Sequence, residues 1–222
     1  MTIQTITTTD KESTLTSAQL EERILSTIPI TQQAFSKLLS LLEIKVSHDI
    51  PSACVTLGQR SRLLVNPDFV STWCRTDESL SILIMHELLH ILLGHTRLFE
   101  RTNPIQNLAF DAIINAQLCL LFPAPAWTAL FRNIYNADIF PSALLRPPNG
   151  WGTRKIHWVL TGTIGRLHRA LYTDSSVTYR ELFELFSQLD DKENMTKLTL
   201  LGNHEVVTET EAADPELLRE IT

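Results

Sequence analysis

"IMHELLHILLGH", residues 84–95, places three histidines and a glutamate in a run that is otherwise almost wholly apolar. Burying such groups without partners costs on the order of several kcal/mol. Either each is satisfied by its core neighbours, or a charged species sits among them. Upstream, Thr76 supplies an N-cap, and Asp77 and Glu78 an acidic first turn. The stretch therefore predicts a helix from about Asp77 to Leu93, with Gly94 as its C-terminal cap.

On that helix His86 and His90 stand four residues apart, about 40° around the axis and one turn along it. Both imidazoles can converge on one ion, at the distances that Zn²⁺ requires. Glu87 follows the first histidine directly, where its carboxylate reaches a water on the metal without ligating the ion. This is the HExxH arrangement of zincins, with the glutamate as general base. The competing reading has two histidines held by backbone carbonyls and a glutamate paired to an arginine.

A catalytic zinc needs a third protein ligand and one open position. Asp111, in "NLAFDAIINAQL" (residues 107–118), is a carboxylate in a helix so apolar that it needs a partner. The ordinary alternative pairs it with Arg97 or Arg101. The rival ligand is His95, which a straight helix would point about 180° from His86. It reaches the site only if Gly94 ends the helix, and it suits the helix C-terminus in any case. Asp111 is the preferred third ligand. Asn115, one turn further on, is placed to orient a ligand or the substrate.

Around this centre the chain reads as follows. Residues 1–16 form a Ser/Thr-rich tail. From Ser17 to Leu42 apolar residues recur at helical spacing, and Pro29 splits or kinks the run. "SACVTLGQRSRLLVNPDF" (residues 52–69) predicts a β-hairpin around Gly58, ended by Asn66-Pro67. After the 107–122 helix a Pro-rich connector marks a boundary near residue 150. The expected organisation is a main domain over 17–150, a helical region over 151–205 and an acidic tail over 206–222. In the second region, residues 154–173 and 178–189 predict helices, and Lys197–Leu201 a short strand. Together they are similar to part of a winged helix, although the basic face is thin.

A net charge of −6 argues against a general nucleic-acid binder. Three widely spaced cysteines make neither a disulfide framework nor a metal knuckle and suit a reducing cytoplasm. No apolar run approaches the roughly 18 residues of a membrane span, and no secretory signal is visible. A cytoplasmic protein with no membrane association is expected. "LLGNHE" (residues 200–205) is similar to one metal box of calcineurin-like phosphoesterases, but the DxH and GD boxes of that site are missing. His157, Arg166, His168 and Arg169 read as one face of a solvated amphipathic helix.

"HELLHILLGH" followed by "NLAFDAIIN" resembles the bacterial metallopeptidase domain often found joined to von Willebrand A-like domains. That family has an HExxHxxxGH helix and then a helix with an Asp-x-x-x-Asn core, matched by Asp111 and Asn115. "LLFPAPAW" (residues 120–127) resembles its apolar, Pro-containing continuation. The resemblance covers roughly residues 50–150. It implies a zincin-like α+β fold, mostly helical, with a small sheet above the HExxH helix and the hairpin supplying strands. It also implies an AAA-type ATPase partner in some members; no von Willebrand A domain with its DxSxS is present here. The expected function is zinc-dependent hydrolysis of a peptide or protein substrate, with Glu87 as base. The alternative is a non-catalytic or regulatory module, linked to transcription, that keeps the zinc site.

Overall fold

A computed structural model of the chain describes residues 16–57, 60–95 and 103–188, together with Leu201. The expected N-terminal and acidic tails, Gly58, Arg97, Arg101, most of the 197–201 run and most of "LLGNHE" lie outside the described residues. Where the chain is described, the fold is α+β, with eight α-helices and one three-stranded sheet.

Helices α1 (Ser17–Thr27) and α2 (Gln33–Ser40) flank Pro29, so the proline separates two helices rather than bending one. A capping box between Thr16 and Gln19 opens α1. Strands β1 (Glu43–Val46), β2 (Ala53–Thr56) and β3 (Arg62–Val65) form a sheet in the order β1-β3-β2. The expected hairpin is the antiparallel β2–β3 pair, with Cys54 opposite Leu64. β1 was not anticipated; it pairs parallel to β3, with Ile44 opposite Leu63.

The Asn66-Pro67 step ends β3 but also starts a helix, α3 (Pro67–Trp73). The Asn66 side chain accepts from the backbone N–H groups of Asp68 and Phe69, and Pro67 fills a position that needs no N–H donor. The same device recurs at α5 (Pro104–Leu121), where Asn103 is the N-cap and forms a capping box with Gln106. This helix therefore begins three residues before the predicted 107.

Between them lies α4 (Asp77–Leu92), the helix of the opening motif. Every residue from Ser79 to Leu88 is buried, as are His90 and Ile91. A helix buried on all sides stands in the middle of a core. It packs against α1, α2, β2 and α5. Thr76 caps it as expected, and Gly94 follows with φ 72, the left-handed geometry that ends helices.

The chain continues through α6 (Ala129–Ile134) and a 3₁₀ turn (Ser142–Leu145) to α7 (Gly162–Thr173) and α8 (Tyr179–Ser187). Both of the last helices pack on α5, and Leu167, Leu171, Leu182 and Phe186 join the same core as α4. The helix expected over 154–173 begins only at Gly162. Residues before it are spent on a bridge between Asn149 and His157, and β-branched Val159 and Thr161 followed by Gly162 disfavour helix.

Candidate metal centre

Two helices build the site. α4 contributes His86, Glu87 and His90; α5 contributes Asp111 and Asn115, four residues apart and so on one face. All five side chains are buried, none more than 2% exposed.

The inner ring nitrogens of the two histidines face each other, with Nε2 of His86 3.1 Å from Nε2 of His90. Oδ1 of Asp111 stands 3.6 Å from the first and 3.3 Å from the second. Tetrahedral zinc with bonds of about 2.0–2.1 Å places its ligand atoms about 3.3 Å apart. The three atoms thus have the spacing of one face of a zinc tetrahedron, and His86, His90 and Asp111 are a group that could hold a metal ion.

The outer nitrogens are engaged elsewhere. Nδ1 of His86 lies 2.9 Å from Oδ1 of Asn115. The Asn115 amide is itself oriented, because its Nδ2 donates to the Leu145 carbonyl at 2.9 Å. Its Oδ1 can only accept, so Nδ1 of His86 carries the proton and Nε2 offers a lone pair toward Asp111. Nδ1 of His90 lies 3.1 Å from Nδ1 of His95. His95 therefore stands behind His90, its ring stacked on Phe110 with centroids 3.7 Å apart. The triangle on the other side is completed by Asp111 rather than His95.

Glu87 sits where α4 passes beneath β2. The backbone of Val55 hydrogen-bonds its carboxylate, while Oε1 has no hydrogen-bonding partner among the described residues. Burial, and then the charge of Asp111, push its carboxyl well above the usual carboxylate range, against the Val55 bond. Cys54, one residue before Val55, has its thiol pushed up to about 12 by burial and by Glu87.

The Tyr135 hydroxyl was not anticipated. It is buried beside Asn115 and near Asp111 and Glu87. Burial and then the charge of Asp111 hold it well above the usual phenol range, opposed by hydrogen bonds with the Asn115 side chain and the Leu201 backbone, with a smaller push from Glu87. A tyrosine 24 positions beyond Asp111, at the C-cap of a short separate helix, carries no spacing signal, and only the packing of α6 reveals it.

The surface cluster expected on one helix is divided. His157 precedes α7, whereas His168 is buried, within 3.0 Å of the Arg146 carbonyl. Among the described residues no helix is long and apolar enough to cross a membrane.

Comparison with known proteins agrees with this centre. No curated protein and no solved structure matches the chain. A family model described as "Putative metallopeptidase domain" matches residues 17–144, more than half of the sequence, from the start of α1 into the 3₁₀ turn and including all five site residues. With a His-His-Asp cluster buried between two helices inside the matched segment, the chain belongs to that metallopeptidase-domain family.

Proposed function

We propose that the protein is a zinc-dependent peptidase in which His86, His90 and Asp111 hold the ion. The observation that carries this reading is the triangle of inward-facing donor atoms, 3.1–3.6 Å apart, whose histidines are fixed from behind by Asn115 and His95. Outer partners of this kind set tautomer and orientation in metal-ligating histidines. A neutral imidazole pair with a carboxylate is a donor set suited to zinc. When bound there, zinc would polarise a carbonyl and lower the pKa of a water toward neutrality.

The chain's own groups supply the remaining chemistry. Glu87, the neighbour of a ligand but outside the triangle, takes a proton from the attacking water at its free Oε1 and returns it to the leaving amine. The Val55 N–H holds the other end of the carboxylate in place. A low-dielectric surrounding makes Glu87 a stronger base than a solvated glutamate. The peptide runs beside β2, whose outer edge carries no strand among the described residues, and adds to the sheet by backbone hydrogen bonds.

A second reading, a regulatory module with a non-catalytic ion, is favoured by one observation: the five side chains are all shut away from solvent. The experiment that separates the two is Glu87→Gln, tested for zinc content and for cleavage of a proteome-derived peptide library read by mass spectrometry. A peptidase keeps its zinc and loses about 10²–10⁴-fold in rate. Equal cleavage by the variant, or none by either protein, favours the regulatory module.

A further inference from the structure

Charge is unevenly placed along the chain. From Ile139 to Thr173 there is no Asp or Glu, against five Lys and Arg. Of the nineteen Lys and Arg in the sequence, the other fourteen stand against all twenty-five Asp and Glu. One basic stretch therefore sits in an otherwise strongly acidic protein, and it lies mostly beyond the matched segment 17–144. Arg146 turns inward and donates to the carbonyls of Arg132 and Tyr135. Arg154, Lys155, Arg166 and Arg169 are exposed. Arg154 and Lys155 have no ion-pair partner among the described residues, and Arg166 reaches only Glu181, at 3.9 Å.

Between these two pairs of cations the backbone is unpaired. From Lys155 to Thr161 the chain runs without a turn or bend and belongs to no sheet. The His157 N–H donates to the Asn149 carbonyl, but the backbone groups of Ile156, Trp158, Val159 and Leu160 have no backbone partner among the described residues. From Trp158 to Thr161 half-buried and exposed side chains alternate, as in a strand. Beside this run lies a groove of about 580 Å³, lined by Leu160, Thr161, Gly162, Arg166, Arg169 and Asp174 among others. Asp174, the acid among them, already accepts the Ser176 N–H at 3.0 Å.

We propose that this face is a docking surface for an extended acidic segment of a partner protein. The segment adds along Lys155–Thr161 by backbone hydrogen bonds, with carboxylates toward the four cations and an apolar side chain in the groove. Charge complementarity steers it to the one basic part of a chain that repels it elsewhere. A nucleic acid fits this face less well. Trp158, the one aromatic ring between Arg154 and Arg169, has Arg169 over it at 5.3 Å and His168 edge-on at 5.6 Å, so it is engaged before a base could stack. Unpaired backbone donors and acceptors at strand spacing match a peptide instead.

The test is fluorescence anisotropy on the full chain with a labelled eight-residue peptide that alternates Glu with Val. Expected is binding that weakens as salt rises and is absent for the same peptide with Lys in place of Glu. Affinity should fall at least about tenfold in the double variant Arg154→Glu, Lys155→Glu, and as much in Arg166→Glu, with melting temperatures unchanged. N-methylation of alternate amides of the peptide, which removes its strand donors, should weaken binding to a similar extent. A wild type that does not bind the Glu peptide overturns the proposal. If the full chain carrying Glu209→Gln, Glu211→Gln, Asp214→Asn and Glu216→Gln then binds it, the chain's own acidic segment is the occupant instead. Equal affinity in the charge-reversed proteins places the binding elsewhere and also overturns it. So does tighter binding of an oligothymidylate of the same length, which would make the face a nucleic-acid surface.

Discussion

Oδ1 of Asn115 meets Nδ1 of His86 at 2.9 Å, while the other end of the same amide donates to the Leu145 carbonyl at 2.9 Å. One side chain thereby ties α5, the 3₁₀ turn and the HExxH helix together and chooses the tautomer of a histidine of the candidate centre. Asn115→Ala frees the ring to rotate and leaves the Leu145 carbonyl without its donor. The expected result is one metal per chain held about 10–100-fold more weakly. Competition with a chelator of known affinity measures it, and an unchanged affinity would show that His86 needs no such support.

His95 and Asp111 were rival third ligands in the sequence, and the structure puts them on opposite sides of His90. His95→Phe keeps an aromatic ring over Phe110 and removes both nitrogens. It should retain one metal per chain, with an affinity loss of no more than about 100-fold. Asp111→Ala removes a donor of the triangle and should lose the metal under the same competition. Reversed phenotypes would make His95 the ligand.

The helix that carries the centre depends on its start. Oγ1 of Thr76 accepts the Ser79 backbone N–H at 3.2 Å, and Asp77 and Glu78 occupy the first turn. Thr76→Ala should cost about 1 kcal/mol in urea unfolding. Because the cap lies more than two turns from His86, metal stoichiometry should not change.

Acid sensitivity should arise in part far from the candidate metal centre. His168 is 3% exposed; its Nε2 donates to the Arg146 carbonyl at 3.0 Å, and its Nδ1 has no partner among the described residues. Burial lowers its pKa, partly opposed by the carbonyl bond and assisted by the Arg146 charge. Its folded pKa therefore lies below the unfolded value of about 6.5. As pH falls through that value the unfolded chain takes up the proton first, so stability is full above it and declines below, by at most about 1.4 kcal/mol per pH unit. The stability difference between the wild type and His168→Gln should shrink between pH 7.5 and pH 5. A difference that stays constant would mean that His168 charges as readily in the folded chain as in the unfolded one.

The centre was legible because polar groups in an apolar helix need a reason. His86, Glu87 and His90 had helical spacing in a fully apolar setting, and Asp111 and Asn115 repeated the pattern on a second helix. The structure places all five in one buried cluster. The errors have local physical causes. Asn66-Pro67 was read as a break and the second buried helix as starting at 107, yet asparagine at N-cap and proline at N1, as at Asn66-Pro67 and Asn103-Pro104, start helices as readily as proline ends them. Four-residue β1 is too short to show a period, and its parallel pairing with β3 depends on a partner 19 residues away. Val55, Leu145 and Tyr135 reach the site through backbone groups or tertiary packing, which leave no trace in spacing.

Metal content per chain tests the central claim most directly, measured by mass spectrometry on protein purified without chelator or a histidine tag. One zinc per chain is predicted, absent in His86→Ala and His90→Ala and lost to mild chelation in Asp111→Ala. A wild type that carries no metal and takes up none when zinc is added would contradict it, and would make the buried His-His-Asp cluster a feature of helix packing alone.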